Sequence, residues 1–346
     1  MPANDLHGVP IAIVGAGAIG GTVGAFLSDA GYDVTLVDID ADHVRAINER
    51  GLRITGVRGD RTFHPRAIRG DELRGPLGVT ILCVKGHMTD GAMRQIGPLL
   101  APDGYVLSLQ NGLNEPVIAR HVGTERTVGA FVHFGADYLE PGVIQLGKEQ
   151  TIFIGELDGR VTPRAEALRD MLAHVMPAEV TTTIWGYLWG KLVYGAMAFA
   201  CSTVDAPVPA VLDNPLGMRV CYAAAAEAYC VAKSQSEWLG HIGEFDPNAF
   251  APGDDAVARG EAALMEIAGP MRGSVKQHMG IWRDLKVRKR KTEVDMQIAA
   301  LVETGRTAGI PTPVNAAVLA VIHEIEDGTR GMEWSNLEEI ARRAGM

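Results

Sequence analysis

Through the first hundred residues, short apolar runs alternate with amphipathic stretches, the succession of strands and helices expected of a parallel α/β sheet. Residues 10–14 (PIAIV) form the first run, and a glycine cluster follows it. An amphipathic stretch then continues to about Ala30, where Gly31 closes the helix. Residues 33–37 (DVTLV) read as a second strand and Ala41–Arg50 as a second helix. The basic, glycine-punctuated region 52–69 fits a strand pair inserted in the sheet. Residues 79–84 (VTILCV) predict a buried strand followed by a helix through Leu100. Residues 105–109 (YVLSL) predict another strand, ended by Gln110-Asn111-Gly112. Further strands are expected at 128–134, Val143–Leu146 and 152–154, with a helix over 163–175.

From Trp185 onward helical patterns dominate, with breaks near 207–215, 247–255 and 309–313. A chain of 346 residues exceeds what one hydrophobic core usually supports. Two domains follow, a sheet-based one over 1–182 and an all-helical one over 183–346.

Composition narrows the class. The formal net charge of −10 disfavours a nucleic-acid partner, which would call for a basic face. One basic run, residues 283–291 (RDLKVRKRK), reads as a solvated helix face, with a local field for an anionic substrate as the second reading. The cysteines, Cys83, Cys201, Cys221 and Cys230, form no CxxC pair and fit buried, reduced thiols. No HExxH or HxxxH spacing supports a metal site. The N-terminal MPANDLHG has no apolar signal-peptide core, and the uncharged stretch 192–204 is too short for a bilayer. A cytoplasmic protein without a membrane partner is the expectation.

Residues 15–20 read Gly-Ala-Gly-Ala-Ile-Gly, a GxGxxG with a strand before it, a helix after it and a second strand within about thirty residues. Gly15 permits the tight turn, Gly17 lets backbone approach a pyrophosphate, and Gly20 lets helix and sheet pack closely. Ala18 and Ile19 then open a helix whose unpaired N–H groups face the phosphates. Asp38, 18 residues after Gly20, ends the second strand, where a carboxylate accepts from ribose hydroxyls and repels a 2′-phosphate. By charge, NAD is preferred over NADP. Asp40 and Asp42 fit helix capping better than ribose binding. FAD stays a minority reading, because no second flavin signature is present.

Carbonyl reduction puts negative charge on oxygen, so a proton donor or cation is needed there. Lys85 and Asn111 end two strands, where loop residues face the ligand crevice; a solvent lysine and a turn asparagine are the plain alternatives. Lys191 is the single charge in 184–204, and such a lysine either snorkels to solvent or is held at a site.

Together the segments GAGAIG, VKGHMTD (84–90), QNGL (110–113), WGKL (189–192) and KTEVD (291–295) resemble the ketopantoate reductase family over most of the chain. The resemblance implies a Rossmann domain followed by an all-helical one, with the active site in the cleft between them. It implies Lys191 as general acid, Glu293 acting beside it, and Asn111 and Lys85 at the cofactor–substrate junction. Three positions depart from the family. Gly195 stands where asparagine is usual four residues after the lysine. Met279 or Gly280 stands where serine is expected, with His278 as a substitute. Asp38-Ile39 stands where an arginine suited to the NADPH phosphate is usual.

The reading is an NAD(P)H-dependent reductase of a small anionic 2-oxo acid, with ketopantoate to pantoate as the named reaction. A family relative acting on another oxo acid, another two-domain dehydrogenase such as an opine or 3-hydroxy acid enzyme, and a non-catalytic dinucleotide sensor are the alternatives. The sparsely charged stretch 220–231 would serve either packing within the domain or a homodimer interface.

Overall fold

Strand β1 (Ile11–Val14) is buried along its whole length, as an unbroken apolar run requires when both faces of a sheet are covered. In chain order it is followed by α1 (Ala18–Asp29), β2 (Val34–Asp38), α2 (Ala41–Arg50), β3 (Leu52–Gly56), β4 (Arg61–Phe63), β5 (Arg66–Arg69) and β6 (Leu77–Leu82). Then come α3 (Thr89–Ile96), β7 (Leu100–Ser108), α4 (Glu115–Val122), β8 (Thr127–Phe131), β9 (Ala136–Glu140) and β10 (Val143–Leu146). The first unit ends with β11 (Ile152–Glu156), α5 (Pro163–Leu172) and β12 (Ala178–Val180). This is a computed structural model, and it describes residues 5–274 and 277–346. The chain divides into two compact units, Met1–Ile184 and Trp185–Met346.

The main sheet has the order β12-β11-β8-β7-β6-β1-β2-β5. Its strands from β5 to β8 run parallel, and β11 turns antiparallel against β8. The chain leaves β1 toward β2 on one side and returns to β6 on the other. That reversal is the switch point where open α/β sheets bind ligands, outside the strands' carboxyl ends.

Region 52–69 is not a strand pair inserted in that sheet. It holds three strands divided between two sheets. Only β5 joins the main sheet, beside β2, while β3 and β4 form a hairpin in a second sheet of order β4-β3-β10-β9. Leu52 and Ile54 point inward and Arg53 outward, the one-faced alternation of a sheet with a single covered side. The expected helix before β7 continues past Ile96 as a 3-10 turn over Gly97–Leu99, and β7 starts at Leu100 with an irregular register against β6.

The second unit contains α6 (Ile184–Cys201, beginning at the boundary), α7 (Val208–Asp213), α8 (Pro215–Gln235), α9 (Ala256–Met271), α10 (Gly280–Trp282), α11 (Ala300–Ala308), α12 (Pro313–Glu326) and α13 (Ser335–Ala344). Two π-helical segments, Arg283–Val287 and Asp295–Ala299, interrupt it. Helix α8 packs on α7, α9, α11, α12 and α13, and buries Val220, Cys221, Ala224, Ala228 and Val231. The stretch 220–231 therefore packs within its own unit.

The basic run is not one solvated helix face either. Asp284 is buried, and Arg288 and Arg290 turn back onto its carboxylate at 3.1 and 2.8 Å. Lys286 pairs with Asp205 at 2.5 Å. Among the described residues no helix is long and apolar enough to cross a membrane.

Candidate active site

The glycine loop between β1 and α1 has the geometry its spacing predicts. Gly15 has φ +96°, and a Cβ there would lie 2.7–2.9 Å from backbone atoms of Cys83 and Val84. At Gly20 a side chain would run into the Gly15 carbonyl. Gly17 differs: it caps α1, and nothing lies within 4 Å of a Cβ built on it. No side chain caps α1 and no acidic residue occupies its first turn. The amides of Ala18 and Ile19 head the helix without acceptors inside it, beside the open space at Gly17. An anion fits there by charge and by shape.

Asp38 ends β2 half-buried. Its Oδ2 accepts from the Ala16 amide at 2.7 Å and its Oδ1 from the Asp40 amide at 3.0 Å. A carboxylate has about four acceptor positions, so two remain for ligand hydroxyls. Asp40 is the N-cap of α2, accepting from the Asp42 and His43 amides at 2.9 and 3.2 Å. Asp40 thus caps α2, as expected of it.

His43 is fully buried and has no counterpart in the sequence reading. The Gly142 amide donates to its Nδ1 at 3.0 Å, which leaves Nε2–H to donate to the Ala16 carbonyl at 2.8 Å. A neutral imidazole in one tautomer thus ties the glycine loop to the second sheet. Tyr138 stacks edge-on against it, centroids 5.0 Å apart. Burial, and then the nearby Asp40, Asp38 and Asp42, push the Tyr138 hydroxyl up to about 12. Asp38, Asp40 and Asp42 thus place three carboxylates at the end of β2. Arg69, the register partner of Asp38 on β5, is engaged with Asp71 at 3.2 Å.

Lys85 and Asn111 follow adjacent strands, since β6 and β7 pair through Leu82 and Ser108. Lys85 is half-buried and Asn111 exposed. A buried polar chain joins their loops. Gln110 Nε2 donates to the Val84 carbonyl and to Thr89 Oγ1, both at 2.8 Å. The Thr89 hydroxyl donates to Asn114 Oδ1 at 2.8 Å, and Asn114 Nδ2 to the Asn111 carbonyl at 2.7 Å. Gln110, Thr89 and Asn114 escaped sequence reasoning; two of them lie inside the quoted motifs, but only folding joins those motifs. Within this unit the glycine loop, Asp38, Lys85 and Asn111 all lie at the carboxyl ends of β1, β2, β6 and β7.

In the second unit Lys191 is half-buried on a helix whose neighbouring Leu188, Trp189, Leu192 and Val193 are buried. Gly195 follows one turn later, and a Cβ there would lie 3.0 Å from Gln297 Oε1. Glu293 is buried directly ahead of the second π-helical segment. Such segments often occur at functional sites. Met279 is buried with its sulfur 3.3 Å from the Tyr194 hydroxyl, which burial pushes up to about 12. The His278 ring stacks on Trp282 at 3.9 Å, and burial lowers its pKa.

A glycine loop heading a helix at the switch point of a parallel sheet, with a helical second unit, defines the class: a two-domain oxidoreductase that uses NAD(P)H. The ketopantoate reductase PanE/ApbA pattern matches residues 11–159, and the pattern of the family's C-terminal domain matches 183–326. The chain belongs to the ketopantoate reductase family, and is an oxidoreductase acting on CH–OH groups. It is 28% identical over 324 residues to the 2-dehydropantoate 2-reductase of Archaeoglobus fulgidus, covering 92% of this chain and 98% of that protein. It is likewise 28% identical over 344 residues to that of Mesorhizobium japonicum, covering 91% and 97%. A solved ketopantoate reductase from Ralstonia eutropha JMP134 matches with a TM-score of 0.78 at 26% identity, covering 93% of this chain and all of that one. D-mandelate dehydrogenase, solved with NADH and anilino(oxo)acetate, also has a TM-score of 0.78. It covers 92% of this chain and 99% of its own, but at 23% identity it shows the fold alone.

Proposed function

We propose that this protein reduces a small 2-oxo acid to the 2-hydroxy acid with NADH, and that ketopantoate to pantoate is the first reaction to test. The observation that carries the reading is Lys191, a half-buried cation on an otherwise apolar stretch of α6. In this reading the amides of Ala18 and Ile19 hold the pyrophosphate, with Gly15, Gly17 and Gly20 shaping the loop. Asp38 accepts from the adenosine ribose, and Lys85 and Asn111 line the junction with substrate. NAD(P)H, when bound, supplies the hydride. Lys191 Nζ donates a proton to the carbonyl oxygen as charge develops on it, and Glu293 orders the hydrogen bonds around that proton donor. The acidic surroundings of Asp38 favour NADH over NADPH.

Gly195 and Met279 favour keeping a second substrate in view, a 2-oxo acid other than ketopantoate. D-mandelate dehydrogenase, with the same fold, was solved with anilino(oxo)acetate, a carboxylate beside an amide carbonyl. Oxidation of NADH and NADPH, followed at the nicotinamide absorbance with ketopantoate and a series of 2-oxo acids, tests both readings. Turnover of ketopantoate faster than of the others supports the first. Turnover confined to another oxo acid moves the assignment to the second, and none with any of them sinks both.

The loop makes its own prediction. Gly17→Ala places a methyl in open space, so the melting temperature should hold while NADH affinity falls about tenfold, a methyl standing in the pyrophosphate's approach. Gly15→Ala forces a side chain onto the Cys83–Val84 backbone at positive φ, and should cost on the order of 1–3 kcal/mol of stability. Thermal melts and NADH titration of the two variants check the contrast. Equal affinity in Gly17→Ala and wild type would remove the pyrophosphate from this loop.

A further inference from the structure

Three glycines punctuate α6, at 186, 190 and 195. A helix-interior glycine sacrifices stability, so each calls for a steric reason. At Gly186 and Gly190 the reason is backbone: a Cβ would collide with the carbonyls of Trp238 and Gly240. At Gly195 no backbone intrudes. Among the described residues, the one group within 4 Å of a Cβ there is Oε1 of Gln297, at 3.0 Å. A side chain at 195 and the amide of Gln297 therefore compete for one volume, and here the amide fills it.

The Gln297 amide is half-buried and makes no side-chain hydrogen bond among the described residues. A half-buried amide with no protein partner remains open to a ligand or to water. Gln297 stands four residues after Glu293, and Gly195 four residues after Lys191. The amide therefore meets α6 one turn along the face that carries Lys191.

From this we infer that Gln297 is a substrate-binding and specificity-determining residue, whose Nε2–H donates to the carboxylate of the 2-oxo acid while Oε1 rests on Gly195. The inference rests on the reductase reading given above.

Steady-state kinetics with the best 2-oxo acid, NADH titration and thermal melts of three variants test it. Gln297→Ala is expected to raise KM for the oxo acid about tenfold to a hundredfold, the usual effect of losing a hydrogen bond to a charged group. Change in kcat should be small, and NADH affinity and melting temperature should match wild type. Gln297→Glu keeps the shape but sets a carboxylate against the substrate's, so its KM should rise further. The double variant Gly195→Asn/Gln297→Ala moves the amide to the other side of the same volume, and should recover most of the loss. A wild-type KM in Gln297→Ala overturns the role of Gln297 and leaves the reductase reading standing. A raised KM accompanied by a lowered melting temperature, without recovery in the double variant, overturns it as packing alone. A wild type that turns over no 2-oxo acid overturns both.

Discussion

Replacing Lys191 by alanine is expected to lower kcat by about 10²–10⁴-fold, the usual contribution of a positioned general acid, while NADH affinity stays within about twofold. The large effect follows from the helix that carries the lysine. Its neighbours Leu188, Trp189, Leu192 and Val193 are buried, and the lysine itself is half-buried, partly withdrawn from water. There a positive group acts on developing oxygen charge far more strongly than it would in water. Truncation removes that group and a short apolar stem, so the melting temperature should change little. Lys191→Arg separates charge from proton donation. The guanidinium keeps the charge but does not release a proton at accessible pH, so this variant should bind the oxo acid and still turn over slowly. Single-turnover oxidation of bound NADH measures the step directly. Wild-type rates in Lys191→Ala would remove the proton-donor role and, with it, the observation on which the proposed function rests.

What could be read from the sequence is what local physics dictates. Gly15 needs a left-handed φ, and Asp40 ahead of Ala41–Arg50 is an ordinary capping aspartate, so loop and helix were legible from a few adjacent residues. Strands β9 and β12 were not. Residues Ala136–Glu140 are all partly or fully exposed, and Ala178–Val180 is a three-residue edge strand, so neither carries an apolar signature. The second sheet joins β3 to β10, about ninety residues apart, through a register no local pattern encodes. His43 is the plainest case. On α2 it looks like one more polar helix residue, and its work is done at Ala16 and at Gly142, 27 and 99 residues away. Asp284 likewise lies buried within a charge run, where the exposed Arg288 and Arg290 reach back to its carboxylate. Candidate site residues were legible where a motif carried them, as at Lys191 and Asn111. Gln297 was not, because its reason for being there is the missing side chain at Gly195.

Asp38→Asn is expected to weaken NADH binding about 10²-fold and to abolish the preference over NADPH without reversing it. The first part comes from ribose hydroxyls that lose a charged acceptor, at about 1.5–3 kcal/mol for each such bond. The second is Coulombic. A 2′-phosphate about 4 Å from the Asp38 carboxylate would meet repulsion on the order of 4 kcal/mol per unit charge at an effective dielectric of 20. Removing that charge lifts the largest part of the penalty. Asp40 and Asp42 remain, and both add to the burial that raises the Tyr138 hydroxyl. Equal affinities, not an NADPH enzyme, are therefore the expected end point. The amide oxygen that Asp38→Asn leaves can still accept from the Ala16 amide, which keeps the glycine loop tied to β2, although the bond from the Asp40 amide is lost. Asp40→Asn serves as the control: it keeps the oxygen that caps α2, and its NADH affinity should hold. Titration of both dinucleotides into the three proteins decides the matter. If Asp38→Asn keeps full selectivity for NADH, the ribose does not lie on this carboxylate, and its bonds to Ala16 and Asp40 are its whole purpose.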